Sequence, residues 1–264
     1  MKRINDFAAE HPWLFSLAVT VVFILMVLVS AIVGRIWPGA PDGQYAGGTF
    51  ARLVFIGLLL LLLRGLGWLE PAGFTRLGRW QVWLFSLLAL TYAIVVSAYA
   101  LTGNLNFRPD DSVPLSLIAL FITVAAFLEE IAFRGLILHD LVRVWGDSDG
   151  GSIRCVLVSS LFFAAMHLVN VLGGQPLAQA LGQAGVAFFL GVFLACLVLA
   201  ARSIYPAVFF HGTLNLAGFL NLAGGGEQEL QSWLMLGLLM IPLAAAGIFL
   251  LRSLPSRVAV PDTA

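Results

Sequence analysis

Charge is what this sequence has least of. Only 11% of its 264 residues are charged, 14 basic and 14 acidic, while 60% are apolar. A soluble domain carries about 25% charged residues, so this chain lacks the polar surface to cover itself in water, and an ordinary soluble protein is excluded. A mean hydropathy of +0.97 points to lipid as the solvent. Cysteine is nearly as scarce. Cys155 and Cys196 both lie in apolar runs and read as small buried hydrophobes, which leaves no disulfide framework and no cysteine metal knuckle. The net charge is zero and no basic block stands out, so nucleic acid is excluded as a partner. Two hydrolase signatures are also missing: His-Glu-x-x-His for a zinc protease and Gly-x-Gly-Asp for an intramembrane aspartyl protease. No internal repeat is visible, which removes support for a transporter built from inverted halves.

What the chain does have is length after length of apolar sequence. Crossing a hydrocarbon core takes about 20 apolar residues per helix, which predicts eight spans, over 12–33, 50–69, 81–102, 113–138, 153–172, 176–201, 203–222 and 230–251. The fold class expected is all-α: a single integral membrane domain over 1–264, a bundle of about eight transmembrane helices enclosing a polar cavity. The first run, with Lys2 and Arg3 ahead of it, is too long for a cleaved leader and reads as a retained helix. Glycine and proline punctuate the connections, none long enough to form another domain. Counted on alternate sides, Lys2, Arg3, Arg64, Arg76, Arg79, Arg134, Arg143, Arg154, Arg202, Arg252 and Arg257 stand against Arg35, Arg52 and Arg108. That bias predicts both termini in the cytoplasm.

An ionisable side chain at membrane depth costs about 2.5–3.5 kcal/mol on insertion scales, so each one needs a partner or a task. Three places break the apolar pattern. Glu129, Glu130 and Arg134 continue the fourth span without a turn residue; Phe163 and His167 lie in the fifth; His211 and Asn215 lie in the seventh. Glu130 and Arg134 are i,i+4 and share a helix face, which leaves Glu129 on a neighbouring face, free to act. His211 and Asn215 also stand one turn apart on one face. Singly, each group reads equally well as an interhelical hydrogen bond or ion pair. Jointly they supply what is needed to handle water and an oxyanion. His11 and His139, near span ends, read as interfacial.

The ordered trio Glu-Glu-x-x-x-Arg, Phe-x-x-x-His and His-x-x-x-Asn, each on its own span, resembles the CPBP family. Also called the ABI family, it comprises CAAX prenyl endopeptidases and bacterial bacteriocin-processing or immunity-like membrane proteases. The resemblance covers about residues 113–222. It implies an intramembrane endopeptidase of a bacterial cytoplasmic membrane that hydrolyses a peptide bond with glutamate-activated water. In that reading Glu129 is the general base, assisted by His167, with His211 and Asn215 forming the oxyanion hole. Glu130, Arg134 and Phe163 support the site, and the mouth opens in the cytoplasmic half. The expected partners are the bilayer and a peptide or protein substrate, membrane-anchored or lipidated. No cofactor is expected, because zinc on Glu129, His167 and His211 would consume the best general base. The zinc form remains an alternative. So do a small-solute or proton transporter and a non-catalytic immunity or scaffold protein.

Overall fold

A computed structural model describes residues 1–39, 42–101, 113–148, 150–223 and 230–253. The described chain is helical, without strands. A short helix α1 (Lys2–Glu10) precedes α2 (Pro12–Ile36), α3 (Gly43–Leu66) and α4 (Trp80–Leu101). Helix α5 (Leu115–Glu130) runs through a π-helical segment (Ile131–Leu138) into α6 (His139–Trp145). Helix α7 (Gly151–Met166) tightens into a 3₁₀ segment (His167–Gly173), and α8 (Leu177–Ala201), α9 (Tyr205–Ala223) and α10 (Leu230–Ser253) follow. Each of the eight expected spans coincides with one of these helices or helix runs. Among the described residues, six are long and apolar enough to cross a membrane, so the count of eight is approximate. Helices α4 and α9 are the two outside that set.

Local chemistry sets several boundaries. Pro12 opens α2 at a position where its missing N–H costs nothing. Gly67, at φ +75°, closes α3 in the left-handed conformation with its N–H turned back to the carbonyls of Leu63 and Arg64. Helices α2 and α3 approach so closely that a Cβ on Gly34 would stand 2.7 Å from the carbonyl oxygen of Gln44. Small residues at such crossings let membrane helices gain van der Waals contact. Their outer faces expose Leu17, Val21, Leu25 and Ile32 on α2 and Leu234, Leu238 and Phe249 on α10, a surface suited to lipid.

The bundle has two unlike ends. At the α1 end, the connection between α3 and α4 is laced to the connection between α8 and α9. Arg79 N–H donates to the Ala201 carbonyl (3.1 Å) and Ile204 N–H to that of Gly73 (3.2 Å). Ser203 Oγ–H donates to the Arg76 carbonyl (2.7 Å) and Tyr205 O–H to that of Phe74 (2.8 Å). Helix α1 is tied to the same end: Asn5 donates to the Leu66 carbonyl (3.3 Å), and Arg143 bonds both the Asn5 carbonyl (3.2 Å) and buried Asp140 (2.8 Å). His139 is buried here, edge-on to Trp68 at 5.1 Å. The π segment and the second half of α8 fill this half with apolar side chains: all of Ile131–Leu138 is buried, as is nearly all of 190–201. At the other end the helices diverge around a cavity.

Candidate active site

The cavity occupies about 680 Å³ and is lined from seven helices, α2, α3, α5, α7, α8, α9 and α10. Its polar lining comes from Glu129 on α5, His167 and Asn170 beyond α7, His211 and Asn215 on α9, Gln183 on α8 and Arg52 on α3; the rest is largely apolar. Glu130, one residue from Glu129, is fully buried and does not reach the cavity wall. Adjacent helical positions point about 100° apart, so one carboxylate faces the cavity and the other faces the protein.

Behind the wall, Arg134 Nη1 bonds Glu130 Oε1 at 3.0 Å, as the i,i+4 spacing predicts. Its guanidinium stacks over Phe163, 4.3 Å to the ring centre, and Nη2 reaches the Gly191 carbonyl at 3.4 Å. A Cβ on Gly191 would meet Ser160 at 3.1 Å, so the glycine lets α8 close onto this cluster. The π segment begins at the residue after Glu130. Within it, the Phe133 carbonyl accepts from Ser159 Oγ–H of α7 at 3.0 Å. Phe133 and Phe163 meet edge-to-face at 5.2 Å, and Phe163 also meets His167 (5.0 Å) and His211 (5.7 Å). Phe163 is therefore the apolar floor under both histidines.

The change from α to 3₁₀ winding at His167 orients that ring. The backbone N–H of His167 turns to the Ala164 carbonyl, which leaves the Phe163 carbonyl without its usual partner. His167 Nδ1 fills the place at 2.9 Å. A carbonyl only accepts, so Nδ1 carries the hydrogen and the neutral ring keeps a lone pair on Nε2. His211 lies between the two glutamates, with Nδ1 2.8 Å from Glu130 Oε1 and Nε2 3.6 Å from Glu129 Oε2. Glu130 thus fixes His211 as well as Arg134, a link between residues 81 apart in sequence that spacing could not reveal. Asn215 lines the same cavity one turn further along α9.

Every residue singled out from the sequence therefore meets at one place, Glu130 and Arg134 in support and the others at or under the cavity wall. The mouth, however, is not where the sequence reading puts it. At 1.5 Å rise per residue, His167 lies about 24 Å along the α7 axis from Gly151, and Glu129 about 21 Å from Leu115. Asn170, Gln183, Phe219 and Trp233 sit near the helix ends remote from α1, while Phe23, Leu190 and His211 form the deep end of the cavity. A mouth on the same side as the N-terminus is thus overturned by the packed, laced end that occupies that half. Arg52 and Arg134 also leave the loop charge count, since one lines the cavity and the other is buried. Arg108 and Arg257 lie outside the described residues. Sequence reasoning missed Arg52, counted as a loop charge, and the Asn170–Gln183 hydrogen bond (2.8 Å) across the cavity wall. An arginine two residues inside an apolar span was the available signal for the first.

Among the described residues, no group of three or more His, Cys, Asp or Glu side chains is placed to hold a metal ion. The Nδ1 atoms of both histidines are committed, to Phe163 and to Glu130. Cys155 and Cys196 are free and buried, remote from the cavity lining.

Residues 111–217 match the Rce1-like family model. That family is described as type II CAAX prenyl endopeptidase Rce1-like, and the match agrees with the resemblance carried by the three motifs. The Rce1-like segment holds Glu129, Glu130, Arg134, Phe163, His167, His211 and Asn215; Arg52 lies outside it. Nothing matches among the curated proteins or the solved structures.

Proposed function

We propose that this protein is an intramembrane endopeptidase in which Glu129 activates water without a metal ion. The observation that carries the reading is the division of labour between adjacent glutamates: Glu129 faces the cavity beside His167 and His211, while Glu130 is sealed behind it holding Arg134 and His211. The Rce1-like match supports the reaction class. Water between Glu129 and the Nε2 lone pair of His167 attacks the peptide carbonyl carbon and gives one proton to Glu129. Charge that develops on the carbonyl oxygen is met by the Asn215 amide and, when His211 carries protons on both nitrogens, by its Nε2–H. The C–N bond then breaks, the leaving nitrogen takes the proton from Glu129, and the water's oxygen and second proton remain on the new carboxylic acid.

The apolar cavity wall favours an apolar or lipid-anchored peptide. Lys2, Arg3, Arg64, Arg76, Arg79, Arg143, Arg154, Arg202 and Arg252 gather at the α1 end, with Arg35 at the other. By the positive-inside rule the α1 end is cytoplasmic, so the mouth, on this reading, takes substrate from the opposite face. The test compares wild-type and Glu129→Gln membrane proteomes to find the accumulating substrate, then measures its cleavage in liposomes. Glu129→Gln is expected to lower turnover by about 10²–10⁴-fold with its melting temperature unchanged. Wild-type enzyme dialysed against a strong chelator is expected to stay active with metal content near zero. Undiminished cleavage by the variant sinks the mechanism; activity lost on dialysis and restored by zinc rejects its metal-free form.

A further inference from the structure

Among the described residues, the cavity lining holds one cation that none of the catalytic roles uses. Arg52 lies on α3, its guanidinium carbon 3.8 Å above the ring centre of Phe121, and its Nη1 is buried without a hydrogen-bond partner. It makes no ion pair among the described residues, although it lies within electrostatic range of Glu129. Compare Arg134, equally intramembrane, whose charge is met by Glu130 at 3.0 Å. An arginine at such depth is costly, and its planar face is already fixed by stacking on Phe121, which leaves the unpartnered Nη1 to meet an anion at the guanidinium edge. Helix depth places Arg52 on the mouth side of the base. At 1.5 Å per residue it lies about 14 Å from the mouth end of α3, against about 21 Å for Glu129 on α5.

From these observations we infer that Arg52 receives a carboxylate of the peptide substrate, on the mouth side of the bond that is cut. Stacked guanidinium, unpartnered Nη1 and apolar surroundings together make a pocket for the anionic end of an otherwise apolar peptide. The inference rests on the peptidase reading for its choice of ligand, yet it concerns binding and is separable from turnover. Arg52 is a specificity residue; it takes no part in the proton transfers.

The test uses the full chain in detergent and a fluorescent peptide, dansyl-Ala-Leu-Val-Leu, as the free acid and as the C-terminal amide. A third peptide is the amide with Asp replacing the central Val. Wild type is expected to bind the free acid at least tenfold more tightly than the amide, about 1.4 kcal/mol. Arg52→Gln should abolish that preference while leaving amide affinity within twofold, and Arg52→Lys should keep part of it. If the aspartyl amide binds as tightly as the free acid, an acidic side chain serves as the carboxylate; if it binds as weakly as the plain amide, the C-terminus does. Equal binding of acid and amide by wild type, binding of neither, or equal loss of both in Arg52→Gln overturns the assignment. Failure of any preparation to cleave peptides, with the acid preference intact, would instead sink the peptidase reading alone.

Discussion

His211 is held at Nδ1 by Glu130 and turned toward Glu129 at Nε2, so a change at the buried glutamate reaches the cavity through the ring. Glu130→Ala strands Arg134 inside the bundle, and Arg134→Ala strands Glu130. Breaking a buried pair by removing one partner costs about 3–5 kcal/mol, so both variants should show a sharp fall in folded yield and melting temperature. The exchanged pair, Glu130→Arg with Arg134→Glu, should recover yield better than activity, because it removes the acceptor 2.8 Å from His211 Nδ1. Well-folded, fully active single variants would mean that the pair is incidental. The Glu130–Arg134 contact was legible because i,i+4 spacing fixes a shared face. The Glu130–His211 contact was not, because it depends on how α5 and α9 pack.

Whole elements were easier to read than their irregular ends. Apolar length placed a helix at every expected span, since the requirement to satisfy the backbone in lipid leaves few alternatives. The π segment after Glu130 and the 3₁₀ turn at His167 left no mark in the apolar pattern, yet each positions a site residue. The π segment is met by Ser159 of another helix, which no single-element pattern contains, and the Phe163–His167 contact, although within one run, gives no sign of the change in winding. Close helix approach is similarly a property of pairs. Gly34→Val would drive its Cβ to 2.7 Å from the Gln44 carbonyl, and α2 and α3 would have to separate. Overpacking of this kind costs about 1–3 kcal/mol. A lower melting temperature for Gly34→Val, with Gly57→Val as a control because open space surrounds that position, is the expected result. Equal melting of the two variants would show that the contact is slack.

At the scale of the molecule, the packed end and the open end determine which side of the membrane supplies substrate. Cysteine labelling decides this after Cys155 and Cys196 are replaced by serine or alanine. A cysteine at Ser148, between α6 and α7 at the α1 end, should react with a membrane-impermeant maleimide only from the cytoplasmic side. One at Gln175, between the 3₁₀ segment and α8, should react only from the opposite side. The reverse pattern would place the mouth in the cytoplasm and overturn the charge-based orientation. Gly225, a natural labelling position from sequence alone, lies outside the described residues.

The lacing between residues 73–79 and 201–205 also bears on how the molecule holds together. Helix α4 packs chiefly against α9, and α3 packs against α5 as well as α2, so the first four helices are joined to the last six by lateral contacts and by that seam of hydrogen bonds. Covalent continuity between Leu101 and Val113 is therefore not what keeps Arg52 opposite Glu129. Nicked there, or born as two polypeptides, the halves carry matching surfaces by which to reassociate, with one contributing Arg52 to the cavity and the other Glu129, His167 and His211.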